Sequence, residues 1–407
     1  YPKGESYLDL QKRVLQVINL IKDADKENNL IVCHQAVLRV LFAFINKLDD
    51  SKIPYIEIPL HHVFILEVDN DFNLINKKII NLNKIIYFLF ILTMKTYINL
   101  EVIDMKTEEA ILVKKIYEQL STKGFLLISN VEGFNQNEMK KLCQEFHSLP
   151  DIEKQKLYMK SYNPENNNIY RGMAPFIDND ESHKEFFDMG ISMNQIEKEE
   201  RINILYEKTP FPNKAFRKRY QDNFNHRFNL GIRLMQIIAL GLGKERNYFD
   251  KLFKNTLSTF RTIYYKPRSE KIVKQNLLDE TALKLTTPDH TDSGFLTVLS
   301  TLDYEGLQVL EDGKFKNVKP IENTFIINIG DCLSKISDNK LKATRHRVLD
   351  IGIERYSNPF FLEPGFSALI PKDKNDDKVK IKFGDFLIKK MTKKFGEWKD
   401  FDYTLKN

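Results

Sequence analysis

Glycine and proline are scarce in this chain, with 16 and 14 in 407 residues, against an ordinary combined share of about 12%. That shortage excludes a collagen repeat and a Pro/Gly-rich linker. Cysteine is scarcer still. Cys33, Cys143 and Cys332 are odd in number and far apart, so no disulfide framework and no CxxC zinc site is readable, and a reducing, cytoplasmic setting is expected. An excess of one charge is also lacking. Lys+Arg 62 against Asp+Glu 56 leaves a net charge of +6, with no block of like charges, so no nucleic-acid partner is expected. A membrane span needs about 20 apolar residues. The longest such run, Ile85–Met94 (IIYFLFILTM), is too short and reads as a buried strand or short helix, so no membrane partner is expected. No signal-peptide pattern follows Tyr1, and no internal repeat is visible.

What remains is a globular composition, 42% apolar and 29% charged, in a length that suits two or three domains of about 150 residues. Two textures are present. Before residue 80, Ser6–Asp23 carries Leu8, Leu10, Val14, Leu15, Val17, Ile18 and Ile21 on a roughly helical period with Ser6 as N-cap. Asn29–Cys33 reads as a strand, Ala36–Ile45 as a helix and Val63–Val68 as a strand. This is a β–α alternation, the pattern of an α/β sheet. After residue 101, Thr107–Lys123 and Arg217–Leu242 read as helices and Gly124–Asn130 as a strand. From residue 257 the chain turns to short strands: Phe260–Tyr265, Gly294–Thr301, Leu307–Leu310, Thr324–Ile329, Ala343–Asp350 and Asn358–Phe361. Such spacing predicts an antiparallel barrel or sandwich, with a hairpin turn at Asp312-Gly313. Between the textures, Asn81–Leu100 fits neither neighbour and reads as a seam between two fused reading frames. The expected organisation is therefore 1–80, a seam at 81–100, a helical region at 101–256 and a barrel at 257–401.

The sharpest chemical signal is Pro288–Leu299 (PDHTDSGFLTVL) followed by Ala343–Val348 (ATRHRV). On a strand, residues i and i+2 point the same way, so His290 and Asp292 can grip one ion, with His346 folding back from a later strand. Two imidazoles and a carboxylate on one face of an octahedron leave three positions open, the facial triad of non-haem Fe(II) oxygenases. Two open positions can chelate a 2-oxo acid and one can take O₂. Arg355-Tyr356-Ser357 adds a second i, i+2 pair whose guanidinium and hydroxyl can hold a carboxylate in a fixed fork, and Tyr265 offers a phenol to the same anion. Each residue alone has an ordinary reading: a surface HxD triplet, a core histidine, a surface ion pair, a core aromatic. The case rests on their combination.

With these motifs in view, residues from about Val102 to Phe401 resemble the isopenicillin N synthase-like family of Fe(II)/2-oxoglutarate-dependent dioxygenases. The likeness is carried by Val102–Asp104, Thr122–Asn130 (TKGFLLISN), Arg171-Gly172, Lys184–Gly190 (KEFFDMG), Asn328–Leu333 (NIGDCL) and Ser337–Val348. It implies a double-stranded β-helix (jelly roll) with helices packed outside. It implies His290, Asp292 and His346 as iron ligands, with Arg355, Ser357 and Tyr265 on the distal carboxylate of 2-oxoglutarate. The implied reaction consumes O₂, releases succinate and CO₂, and hydroxylates, desaturates or cyclises a small molecule, with ascorbate as an optional addition. Two features qualify it. Many members have Asn-x-Tyr-Pro where this chain has Ile263-Tyr264-Tyr265-Lys266, and a few relatives use the Arg-x-Ser pair on a substrate carboxylate without 2-oxoglutarate. The loops Ser161–Asn168 and Ile272–Thr286 carry no readable substrate code.

Residues 1–80 resemble the end of the bisphosphatase domain of 6-phosphofructo-2-kinase/fructose-2,6-bisphosphatase, in the histidine-phosphatase superfamily, through Tyr1–Leu10 (YPKGESYLDL), Val32–Arg39 (VCHQAVLR) and Ile53–Val68. His34 then matches the second active-site histidine, and Tyr7, Gln35 and Arg39 match substrate-binding positions. The chemistry needs a nucleophilic histidine in Arg-His-Gly and an acid. No Arg-His-Gly occurs, since Arg345-His346 continues with Arg347. Without it no phosphohistidine forms, and fructose-2,6-bisphosphate hydrolysis is the alternative judged inactive. The part-domain is expected to be a truncated sheet with an exposed edge.

Overall fold

The computed structural model describes residues 6–23, 28–32, 35–58, 62–69, 71–81, 89–94, 97–178, 180–268, 285–373 and 376–394. The chain divides into two compact units, Tyr1–Ile98 and Asn99–Asn407, so the division falls inside the stretch expected as a seam.

The first unit begins with a helix at Tyr7–Asp23 (α1). Ser6 opens it: its Oγ accepts from the Asp9 amide at 3.2 Å while the Asp9 carboxylate accepts from the Ser6 amide at 3.3 Å, a reciprocal cap. The strand Asn28–Val32 (β1), the helix Gln35–Ile45 (α2), and the strands His62–Val68 (β2), Leu74–Asn81 (β3) and Leu89–Met94 (β4) follow. The sheet order is β1-β4-β2-β3, with β2 and β4 parallel and the other pairs antiparallel. The apolar run of the expected seam thus supplies β4, which pairs on both sides. Val14, Ile18, Leu38, Leu41, Phe64 and Leu66 form the core of this unit.

The second unit opens with Val102–Asp104 (β5), Glu109–Thr122 (α3), Phe125–Ser129 (β6), Gln136–His147 (α4) and Asp151–Gln155 (α5). Gly172–Ala174 (β7), Lys184–Met189 (β8), the helix Lys214–Gly241 (α6) and Thr259–Tyr265 (β9) come next. Then come Leu285–His290 (β10), Leu296–Ser300 (β11), Leu307–Glu311 (β12), Lys314–Asn317 (β13) and Phe325–Ile329 (β14). The short helix Asp331–Ile336 (α7), His346–Leu349 (β15), Arg355–Leu362 (β16), Leu369–Asp373 (β17), Asp376–Lys382 (β18) and the helix Phe383–Lys394 (α8) complete it.

Two sheets build the double-stranded β-helix: an eight-stranded one, β5-β6-β14-β11-β16-β9-β8-β7, and a four-stranded one, β10-β15-β12-β13. Strands β5 to β8 extend the larger sheet: β6 lies at the strand expected over Gly124–Asn130, whereas β7 and β8 fall in the region expected to be helical. The hairpin turn lies between β12 and β13, where Asp312 and Gly313 both take positive φ, 52° and 78°, as a two-residue turn requires.

Alternation along β16 separates core from site. Tyr356, Phe360 and Leu362 join the apolar core beneath α6, with Phe224, Leu230 and Leu234. Arg355, Ser357, Pro359 and Phe361 face the barrel interior, a cavity of about 890 Å³. No described helix is long and apolar enough to cross a membrane.

Candidate metal centre

Strands β10 and β15 pair antiparallel with His290 opposite His346, after a register shift between Thr287 and His290. Their rings lie 4.3 Å apart by centroid. Asp292 is not on the strand: β10 ends at His290, so the i, i+2 rule does not aim this carboxylate. Tertiary bonds do. Thr297 Oγ1 donates to Asp292 Oδ2 at 2.5 Å, and Asn328 Nδ2 donates to the same oxygen at 2.8 Å. Oδ1 is left toward the histidines, 3.6 Å from His290 Nε2 and 3.8 Å from His346 Nε2.

One donor atom from each of the three residues lies within 4.8 Å of the others. A cation with bonds near 2.1 Å places adjacent donors about 3 Å apart, so a small side-chain closure suffices. Both Nδ1 atoms face backbone carbonyls, His290 to Pro288 at 2.7 Å and His346 to Thr344 at 3.2 Å. Such contacts fix the tautomer and leave Nε2 as the ligand atom. Burial holds His346 below its ordinary range, against the pull of Asp292, which keeps the imidazole in its neutral, ligating form. Burial works to raise the Asp292 carboxyl, but the His290 hydrogen bond and the His346 and His290 charges hold it well below the usual carboxylate range. The donor set fits a hard-to-borderline divalent metal with open positions.

The backbone of this loop is stapled to the start of α7. Gly330, Asp331 and Cys332 donate to the carbonyls of Phe295 at 3.0 Å, Asp292 at 2.8 Å and Gly294 at 3.1 Å. The approach is so close that a Cβ on Gly330 would lie 2.3 Å from the Gly294 oxygen.

Arg355 and Ser357 are both buried. Arg355 is the register partner of Tyr265, and Ser357 that of Ile263. The guanidinium stacks 3.6 Å from the Tyr265 ring centre and donates to Thr286 Oγ1 and the Leu349 carbonyl at 3.3 and 3.2 Å. Among the described residues it has no carboxylate partner within ion-pair distance. A residue that the sequence did not single out joins it. Lys184, opposite Tyr265 on β8, donates to the Thr286 carbonyl at 2.6 Å and to Thr287 Oγ1 at 2.9 Å. Burial lowers both cations from their ordinary values. Burial works to raise the Tyr265 phenol, yet Arg355, Lys184 and the Ser357 hydrogen bond bring it below the ordinary range. Two buried cations with a phenol and a hydroxyl make a receptor for an anion. Lys184, Thr297 and Asn328 could be found only through strand pairings invisible in sequence.

In the first unit, Arg39 donates to the Tyr7 hydroxyl at 3.0 Å and to the Ile56 carbonyl at 2.8 Å, and Gln35 donates to the Ile58 carbonyl at 3.0 Å. Arg39 and Gln35 therefore face one loop, and Tyr7 is joined to them through Arg39. His34 lies outside the described residues.

Residues 257–364 match the 2OG-Fe(II) oxygenase superfamily, and residues 1–79 match the histidine phosphatase superfamily (branch 1). Among curated proteins, isopenicillin N synthase of Streptomyces jumonjinensis is 27% identical over 66% of this chain and 82% of its own length. DMR6-LIKE OXYGENASE 1 of Arabidopsis thaliana is 28% identical over 64% and 70%. Gibberellin 20 oxidase 1 of Arabidopsis thaliana is 30% identical over 42% and 44%. Among solved structures, a full-length Neurospora crassa protein in complex with alpha-KG and thymine superposes with a TM-score of 0.60 at 23% identity, covering 74% of this chain and 100% of that one, and so shares the fold. The likenesses thus divide with the two units: the second matches the 2OG-Fe(II) oxygenase superfamily and is similar to isopenicillin N synthase, and the first matches the histidine phosphatase superfamily.

Proposed function

We propose that the second unit oxidises a small molecule with Fe(II), 2-oxoglutarate and O₂, and that His290, Asp292 and His346 hold the iron. The single observation that carries this reading is the convergence of three donor atoms within 4.8 Å at the wall of a large cavity. When bound there, iron with 2-oxoglutarate and O₂ supplies an oxidant able to take hydrogen from carbon, and hydroxylation balances as substrate, 2-oxoglutarate and O₂ giving hydroxylated product, succinate and CO₂.

The chain's own residues position and exclude. Thr297 and Asn328 occupy one oxygen of Asp292 and orient the other. Arg355, Ser357 and Tyr265, with Lys184 beside them, hold the distal carboxylate of 2-oxoglutarate, so that its 2-oxo acid end points toward the His/Asp cluster. Phe186, Phe361 and Leu299 line the cavity with apolar surface, which limits water near the reacting carbon. Ascorbate enters this proposal only as an additive to be tested, and the cytoplasm as the compartment that the sparse cysteines suit.

The test is O₂ uptake and succinate release by the iron-loaded full chain across a small-molecule panel. Uptake that requires both iron and 2-oxoglutarate is expected. Uptake indifferent to 2-oxoglutarate overturns the cosubstrate assignment. The first unit is proposed to be catalytically silent, and turnover of fructose 2,6-bisphosphate would overturn that.

A further inference from the structure

Glu363 is a buried acid that the mechanism above does not use. It follows directly on β16 and continues the alternation that aims Arg355, Ser357, Pro359 and Phe361 into the cavity, whose wall it joins. It is 7% exposed, and its Oε2 is buried with no hydrogen-bond partner among the described residues. A buried polar atom left unpaired calls for an explanation, because it costs stability.

Its position is informative. Thr297, which holds Asp292, lies opposite Phe361. Glu363 is two residues further on, about 7 Å along an extended chain, and its Oε1 lies 3.4 Å from where a Cβ on Gly294 would be. Arg355 and Ser357 lie in the other direction along the same strand. The two ends of the cavity therefore flank the metal cluster: a cationic end for the cosubstrate, and an end carrying Glu363 for whatever else enters.

The surroundings restrict that second occupant. Arg261 is held by Asp188 through two bonds of 2.6 Å, and Arg171 is taken up by Thr259 Oγ1 at 2.6 Å and the Leu257 carbonyl at 2.9 Å. A cationic substrate group would meet Arg261 in the wall, with Arg171 behind it, and a carboxylate would meet Asp188 and Asp292, while Lys390, also in the wall, is held by Asp331 at 3.1 Å. A neutral group that both donates and accepts meets neither penalty. Burial, with Asp292 and Asp188 nearby, pushes the Glu363 carboxyl up to about 8 against the pull of Arg171 and Arg261, consistent with a carboxyl that can donate as well as accept.

We infer that Glu363 reads the substrate by pairing its carboxyl with a neutral amide group, and that the substrate pocket rejects a carboxylate at this end. This rests on the iron and cosubstrate reading above. The experiment uses the full chain with Mn(II) and 2-oxoglutarate, and follows benzamide and benzoate by calorimetry and by metal-induced relaxation of the probe protons. Benzamide is expected to bind about tenfold or more tightly than benzoate, to lose about tenfold in Glu363→Leu, and to be kept within about threefold in Glu363→Gln. The orphaned oxygen also predicts that Glu363→Leu raises the unfolding midpoint, by about 2 °C or more. Benzoate binding as tightly as benzamide, benzamide binding unchanged in Glu363→Leu, or a lowered midpoint in that variant each overturns the proposal. If the iron reading alone fails, calorimetry still shows Glu363-dependent benzamide binding while the relaxation effect is missing.

Discussion

A single methyl group at Gly330 is expected to dismantle the metal site from behind. A Cβ there would sit 2.3 Å from the Gly294 oxygen and 2.7 Å from its carbonyl carbon, where ordinary contact begins at 3.4 Å. Both sides are backbone, so no side chain can swing away, and one segment must move by about 1 Å. The segment that moves carries Asp292, because three hydrogen bonds tie residues 292–295 to the first residues of α7. Weakening those bonds at about 1 kcal/mol each, with an overpacking cost of about 1–3 kcal/mol, puts the loss of stability for Gly330→Ala at roughly 4–6 kcal/mol. Metal sites tolerate errors of only about 0.2 Å, and loss of ligand support lowers affinity about 10- to 100-fold. Anaerobic Fe(II) titration together with denaturant unfolding measures both effects. A Gly330→Ala protein that folds with native stability and binds Fe(II) as the native chain does would refute the reasoning.

Other expectations follow from the same geometry. Asn328→Leu removes a 2.8 Å bond to Asp292 Oδ2 and is expected to lower Fe(II) affinity about 10- to 100-fold, measured by the same titration; unchanged affinity would show that Thr297 alone suffices. Arg355→Leu is expected to weaken 2-oxoglutarate binding about 10- to 150-fold, for one charge-assisted hydrogen bond of about 1.5–3 kcal/mol, while Fe(II) binding stays native; equal 2-oxoglutarate affinity would remove Arg355 from the cosubstrate site. Burial holds His147 below its ordinary range despite its 2.8 Å contact with Glu185. An unfolded chain therefore takes up a proton near pH 6.5 that folded His147 refuses, and stability falls as the pH drops from about 6.5 toward the lower folded value. Unfolding of His147→Gln between pH 7 and 5 is expected to show a shallower decline, and an identical decline would contradict this.

The parts of this molecule that were legible in sequence are those where chemistry restricts residue type. A metal needs His and Asp, and an anion needs Arg with hydroxyls, so six residues could be named as candidates before any fold was known; the fold brings His290, Asp292 and His346 together and sets Arg355, Ser357 and Tyr265 in one cavity wall. Their arrangement was less legible. The i, i+2 rule assumed a strand through Asp292, whereas β10 stops at His290 and the carboxylate is aimed by Thr297 and Asn328. Both partners are ordinary polar strand residues whose inward orientation depends on register. Lys184 was hidden for the same reason, since its place beside Tyr265 comes from pairing between β8 and β9. The run at 89–94 looked foreign because its pairings with β1 and β2 join residues far apart in the chain, which no local pattern shows. Strands β7 and β8 were missed inside a region read as helical, and Gly172–Ala174 is too short to show a period.

The most direct measurement is Fe(II) stoichiometry under anaerobic conditions for the full chain and for Asp292→Ala. The account predicts one tightly held Fe(II) per native chain and none in the variant, with the fold of both intact by circular dichroism. A folded Asp292→Ala chain that still holds one Fe(II) with native affinity would contradict it.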